Sequence, residues 1–192
     1  MNAPTVRITN LGIQNFKNVV NGSLSLENQR KDYKASIVGI YGQNGSGKTS
    51  IIEALDLLKN VLCGRSVPSE FADYINTDSE EATLSFEFRI MLESGPQTVS
   101  YQFSIKSVLD TTQNAVAPNH SERKVIVFNE LLKCPILSDK QIKMGRLIDT
   151  NSSDGFSPVA KRRLLTGNDK ETVTNLLVAK KLAEASSRSY IF

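Results

Sequence analysis

Apolar and polar positions alternate from residue 5 to residue 13, with Val6 and Ile8 on one side and Arg7 and Thr9 on the other. β-Branched side chains dominate the stretch and suit a pleated surface, so it predicts a strand. Asn15-Phe16-Lys17-Asn18 turns the chain, and residues 19–26 alternate again with Leu24 and Leu26 together. An antiparallel pair follows. Residues 27–34 are a polar loop. Residues 35–41 form a short apolar run that ends at Gly42, the pattern of a central strand covered on both faces. The period then changes. Ile51, Ile52, Leu55, Leu58 and Leu62 fall at helical spacing, which predicts a helix over 48–62 stopped by Gly64.

Residues 65–81 are expected to be a loop. Residues 82–92 alternate, with Leu84, Phe86, Phe88 and Ile90 on one face, and residues 98–105 do the same with Val99, Tyr101, Phe103 and Ile105. Ser94-Gly95-Pro96-Gln97 between them completes a predicted hairpin. Residues 110–122 are polar and loop-like, and residues 124–133 form a third strand of that sheet. Residues 138–148 fit a short strand or a helix, and 149–158 a loop. Residues 159–165 and 171–186 read as helices, the second carrying Val173, Leu176, Leu177, Ala179 and Ala183. The apolar ending Ser189-Tyr190-Ile191-Phe192 suggests a chain that stops inside a fold.

Composition narrows the class. With 192 residues, 40% hydrophobic and 22% charged, the chain suits one soluble globular domain or part of a larger one. The 23 basic and 20 acidic side chains leave a net charge of +3, too even to imply a nucleic-acid partner from charge alone. Cys63 and Cys134 lack CxxC spacing, so neither a zinc site nor a disulfide framework is expected. His120, the single histidine, lies in a polar stretch around which no metal cluster or Ser/His/Asp set assembles. No apolar run approaches the ~20 residues of a membrane span. The N-terminus lacks the layout of a signal peptide, so a cytoplasmic location without a membrane is expected.

The chemistry concentrates at Gly42-Gln43-Asn44-Gly45-Ser46-Gly47-Lys48-Thr49, which matches GxxxxGK[ST] at every position. An apolar run precedes it and an amphipathic helix follows, as a phosphate-binding P-loop requires. Gly42, Gly45 and Gly47 admit backbone conformations that a Cβ would block. Successive N–H groups then form an anion nest, extended by the positive end of the helix. In this arrangement Lys48 reaches the β- and γ-phosphates, Thr49 offers its hydroxyl to Mg²⁺, and Ser50 is placed to hydrogen-bond a phosphate oxygen. The expected ligand is a purine nucleoside triphosphate with Mg²⁺, taken as ATP.

Hydrolysis needs more: an acid for the metal and a group that poises water. Ser107-Val108-Leu109-Asp110 and Arg146-Leu147-Ile148-Asp149 are the nearest candidates, and neither Asp follows four apolar residues. Leu165-Thr166-Gly167-Asn168 is a poor echo of a Leu-Ser-Gly-Gly signature. Half of a hydrolytic site is visible.

The order of a strand, Ile13-Gln14-Asn15-Phe16-Lys17-Asn18, a second strand, and then Ile40 to Leu55 through the P-loop resembles the N-terminal lobe of RecF/SMC-type ABC ATPases. Within these it is most similar to bacterial AAA-family ATP-binding proteins of abortive-infection and phage-defence loci. The hairpin at 82–105, Val127-Phe128-Asn129-Glu130-Leu131-Leu132 and Thr174-Asn175-Leu176-Leu177-Val178 resemble later parts of that pattern more loosely. The resemblance implies an α/β P-loop NTPase fold, like the N-terminal lobe of an ABC-ATPase head, with an antiparallel β subdomain and a C-terminal helical portion. It divides the chain into the lobe at 1–134 and the start of a helical insertion at 135–192. It also implies that hydrolysis requires a missing C-terminal lobe and dimerisation, with a second copy or a complementary ATPase lobe as partner. An effector protein is a further possible partner, and DNA is one by analogy only. Lys17 is the basic residue that can approach a phosphate, or else a solvated surface lysine. Lys161-Arg162-Arg163 fits a contact with nucleic-acid phosphate, a kinase-type lid or a solvated helix face.

Rival functions stay open. A P-loop kinase of nucleotides or small molecules shares the motif, although here about 35 residues with their own strand pair precede the P-loop strand. A GTPase lacks its Asn-Lys-x-Asp segment here. A module that binds nucleotide or a partner lobe without turnover fits the missing acids.

Overall fold

The computed structural model describes residues 5–27, 37–93, 95–109, 123–138, 141–150, 178, 181–183 and 185–189. Six strands form one sheet: β1 (Thr5–Phe16), β2 (Val19–Ser25), β3 (Glu81–Leu92), β4 (Gly95–Leu109), β5 (Arg123–Ser138) and β6 (Gln141–Asp149). Their order is β2-β1-β3-β4-β5-β6, and every pairing is antiparallel. One helix, α1 (Lys48–Leu62), and a short 3-10 helix (Ser69–Tyr74) lie between β2 and β3 in sequence.

The alternating segments fold as their pattern predicts, because one face of the sheet is buried and the other is polar. Leu11, Ile13, Leu84, Phe86, Tyr101, Phe103, Ile105, Val125 and Val127 supply the buried face, which shares one apolar cluster with Ala54, Leu57, Leu58 and Val61 of α1. The helix has the expected limits, and Cys63 and Gly64 close it by donating to the carbonyls of Lys59 and Val61. Its buried stripe agrees with the expected one at Leu58, with Ile51 and Leu55 partly buried against the same core, and departs from it elsewhere. Ile52 is 61% exposed, whereas Ala54, Leu57 and Val61 are fully buried. α1 is apolar around much of its circumference, so period alone does not select the face that packs.

Residues 37–41 do not form the buried central strand expected at 35–41. They lack regular structure, and Ile37 and Tyr41 are 98% and 93% exposed. A strand exists through its ladder partners, and no described segment lies alongside to supply them. The expected loop at 65–81 contains the 3-10 helix, whose Phe71 and Ala72 are buried. The turn after β3 is tighter than expected, since Leu92 already pairs with Gly95 in its left-handed conformation.

β5 runs on through Pro135, which pairs with Met144 of β6. Its last partner on β4 is at Lys133, so the missing proline N–H removes no bond on that side. β6 resolves the strand-or-helix alternative at 138–148 as a strand. Of the helix expected at 171–186, Val178, residues 181–183 and Ala185 are helical. The loop expectation at 110–122, His120, most of 149–158, the helix expected at 159–165 and Lys161-Arg162-Arg163 lie outside the described residues.

A bulge in β5, where Asn129 adopts φ 51°, shifts the register opposite β4 and turns Glu130 to the buried face. Glu130 is 1% exposed. Its carboxylate accepts from the Tyr101 hydroxyl at 2.7 Å and from the Ser189 hydroxyl. The Glu130 N–H donates to Thr150 Oγ1 at 2.8 Å. Nearby, Val67 N–H donates to the Ser187 carbonyl at 2.8 Å, which brings residues 185–189 onto the loop after α1. Burial, reinforced by the Glu130 charge, holds the Tyr101 phenol well above its ordinary pKa.

Tyr101→Phe withdraws a donor from a buried carboxylate and is expected to lower unfolding free energy by about 1–3 kcal/mol at pH 7, read by urea denaturation. The raised phenol pKa contributes stability below the unfolded-state value of 10.0 that is lost as pH rises through the higher folded value. Wild-type stability should therefore fall more steeply above that pH than stability of the variant.

Candidate functional site

The chain crosses from residues 37–41 into α1 through Gly42–Gly47, with Gly45 and Gly47 both left-handed at φ 83° and 85°. Gly47 is the N-cap of α1. No side chain caps the helix there, and its first turn carries no acidic residue. The unpaired N–H groups and the positive helix end therefore keep their capacity for an anion. Lys48 lies back over the loop, donating to the carbonyls of Gly42 at 2.8 Å and Gln43 at 2.6 Å. An ammonium has three donors, so this grip leaves a third for a phosphate oxygen. Ser46 N–H closes a turn on the Gln43 carbonyl at 3.2 Å. Gly42, Gln43, Asn44, Gly45, Ser46 and Thr49 are exposed, and Lys48 is half-buried.

Ser50 is buried at 2% exposure, and its hydroxyl donates to Asn18 Oδ1 at 3.3 Å. Thr49 is the exposed hydroxyl of the first turn. Among the described residues no group of three or more His, Cys, Asp or Glu could hold a metal by itself. A magnesium ion here would take Thr49 together with oxygens of the phosphates, the habit of a cation that keeps few protein ligands. The loop therefore fits a triphosphate with its metal.

Lys17 is neither a free surface lysine nor aimed at the loop. Its ammonium contacts both carboxylate oxygens of Glu53 at 2.6 and 2.7 Å and lies 4.3 Å from the Tyr74 ring centre. Asn15 and Lys17 hold left-handed conformations, uncommon for residues with a Cβ. The region of the 3-10 helix enforces them. Lys17 N–H donates to the Tyr74 carbonyl, Asn76 N–H to the Asn15 carbonyl, and Asn76 Nδ2 to the Lys17 carbonyl. Glu53, Asn18, Tyr74 and Asn76 were not legible as partners in the sequence. Their one advance signal was the opposite charge of Glu53 and Lys17, 36 positions apart.

Asp149, the acid candidate among the described residues, does not lie at the loop. Asp149 ends β6 and pairs with Arg146 at 2.9 Å. β6 is four strands from β1, roughly 19 Å at ordinary strand spacing. Asp110 and Leu165-Thr166-Gly167-Asn168 lie outside the described residues. Cys63 and Cys134 are free thiols. No helix among the described residues is long and apolar enough to cross a membrane.

Gly47 and Gly45 share a conformation but not their surroundings. A Cβ on Gly47 would stand 2.7 Å from Val19 Cγ2, whereas one on Gly45 meets nothing within 4 Å. Gly47→Ala is expected to lower stability by about 1–3 kcal/mol and Gly45→Ala by about 1 kcal/mol. Equal losses in urea denaturation would refute the close packing of the loop on β2.

Comparison with known proteins agrees with this geometry. A family model described as "AAA domain, putative AbiEii toxin, Type IV TA system" matches residues 37–157, well over half of the chain. The DNA replication and repair protein RecF of Francisella tularensis subsp. novicida (strain U112) is 40% identical over 74 residues. RecF of subsp. tularensis (strain WY96-3418) matches to the same extent. Each match covers 38% of this chain and 19% of the relative, so the shared segment spans about a fifth of the curated relatives' length. No solved structure gives a significant match. The chain belongs to that AAA-domain family, P-loop NTPases of the AAA ATPase type, and is related to RecF in part of its length.

Proposed function

We propose that the chain is the ATP·Mg²⁺-binding lobe of a RecF/SMC-like ABC-type ATPase. The observation that carries this is the uncapped, acid-free N-terminus of α1 behind two left-handed glycines, with Lys48 clasping the loop carbonyls. In this role the N–H groups of Gly45 to Thr49 surround the phosphates, Lys48 supplies a positive charge, and the Thr49 hydroxyl faces the metal. A bound Mg²⁺ would be held by the Thr49 hydroxyl together with phosphate oxygens and would offset the negative charge of the triphosphate. Ser50 acts from behind the loop.

The lobe at 1–134 with its β subdomain, continued by β6, precedes a helical insertion that begins within 135–192. Hydrolysis is expected only when a C-terminal lobe and a second head supply the acids and signature. The partner is then another copy or a complementary lobe, with an effector protein beyond it. The setting is cytoplasmic phage defence or DNA maintenance, and contact with DNA is an analogy to RecF. A second reading, a module that binds nucleotide without turnover, is favoured by one observation. Glu53, the acid nearest the loop in sequence, is committed to Lys17.

Calorimetry with ATP and Mg²⁺ tests this, with phosphate release followed in the same sample. The wild-type chain is expected to bind without turnover. Lys48→Ala is expected to weaken binding by roughly 10- to 150-fold, the value of one charge-assisted contact, with an unchanged melting temperature. Unchanged affinity in the folded variant refutes the site. Turnover by the isolated chain refutes the need for a second lobe.

A further inference from the structure

We infer that Asn18 is a positioning residue that holds the phosphate-binding loop in its receptive shape; this rests on the triphosphate site proposed above. Asn18 follows Lys17 in the turn between β1 and β2, far from the loop in sequence. Its Nδ2 donates to the carbonyl of Gly45, and its Oδ1 accepts from the Ser50 hydroxyl at 3.3 Å. One amide therefore grips the loop on one side and the first turn of α1 on the other.

The physical need for such a grip comes from the glycines. Peptide planes flanking left-handed glycines turn over with little steric penalty, so a loop with glycines at 42, 45 and 47 has several accessible backbone states. An anion nest exists in one of them, where successive N–H groups converge and the carbonyls face away. A Gly45 carbonyl turned inward would meet a phosphate oxygen with its own negative end. A donor fixed outside the loop selects the outward orientation before any ligand arrives, so less ordering remains to oppose binding.

Asn18 can serve because its turn is itself fixed. Lys17 is paired with Glu53 of α1 and stacked over Tyr74, and Val19 lies against Gly47 on the other side. The grip also requires an amide. A carboxylate of the same shape keeps the acceptor for Ser50 but presents an oxygen to the Gly45 carbonyl, and a methyl group makes neither bond.

The test uses the full chain with Asn18→Ala and Asn18→Asp. It combines ¹⁵N relaxation of the ligand-free protein with ATP·Mg²⁺ affinity. Both variants should lower the amide order parameters of Gly45–Lys48 from about 0.85 toward 0.6 or less while those of β3 and β4 stay unchanged. Both should weaken ATP·Mg²⁺ by roughly three- to tenfold, a modest figure because Asn18 is exposed. The Ala variant adds no charge, so its loss of affinity cannot come from repulsion of phosphate. Rigid loop amides together with an affinity within about twofold of wild type in Asn18→Ala overturn the inference. If the wild-type chain binds no ATP·Mg²⁺, the proposed function falls and the relaxation data decide alone. Loop mobility confined to the variants then upholds Asn18 as the brace, and an unchanged loop overturns it.

Discussion

The seam between α1 and the buried face of the sheet is the constraint on which the site depends. Ala54, Leu57 and Val61 are fully buried in the same cluster as Leu84 and Phe103. A packed interior tolerates little displacement, so this seam fixes the axis and height of the helix. With the axis fixed, Gly47 comes to rest against Val19 and the helix end opens beside the turn of the first hairpin. The position of the glycine-rich loop is thus set by hydrophobic contacts further along the helix.

Polar contacts then trim that position. Lys17, Asn18, Tyr74 and Asn76 join three stretches of chain around the loop: the β1–β2 turn, the start of α1 and the end of the 3-10 helix. The Lys17–Glu53 pair is partly exposed, so its value is geometric more than energetic. Two residues with a Cβ, Asn15 and Lys17, hold left-handed backbones there, a strain sustained because several bonds define it at once. The opposite end of the sheet follows a different economy of contacts, with Glu130 drawn inside by a bulge and satisfied by Tyr101 and Ser189.

The same geometry keeps Asp149, at the end of β6, away from the glycine-rich loop. An antiparallel sheet can leave one face in water, and this one buries its other face on α1 and the segment of the 3-10 helix. Ile37, Val38, Tyr41, Ile52 of α1 and most of the loop are exposed. No described segment lies alongside residues 37–41.

Much was legible from the chain alone. Alternation located β1 to β4 and most of β5, since a period of two survives any choice of neighbour. The P-loop and the limits of α1 were legible because glycine, lysine and a change of period act locally. Tertiary structure decided the rest. It chose which part of the broad apolar face of α1 packs deepest, gave Lys17 a partner 36 positions away, and turned Glu130 inward through a bulge that no pattern marks. It also left 37–41 without a ladder, because strand character belongs to a pair and not to one segment. Local chemistry thus determined that a GxxxxGK[ST] loop precedes a helix in this protein. Contacts between distant segments decided how that loop is held, because their strength depends on spatial neighbours that the order of residues does not name.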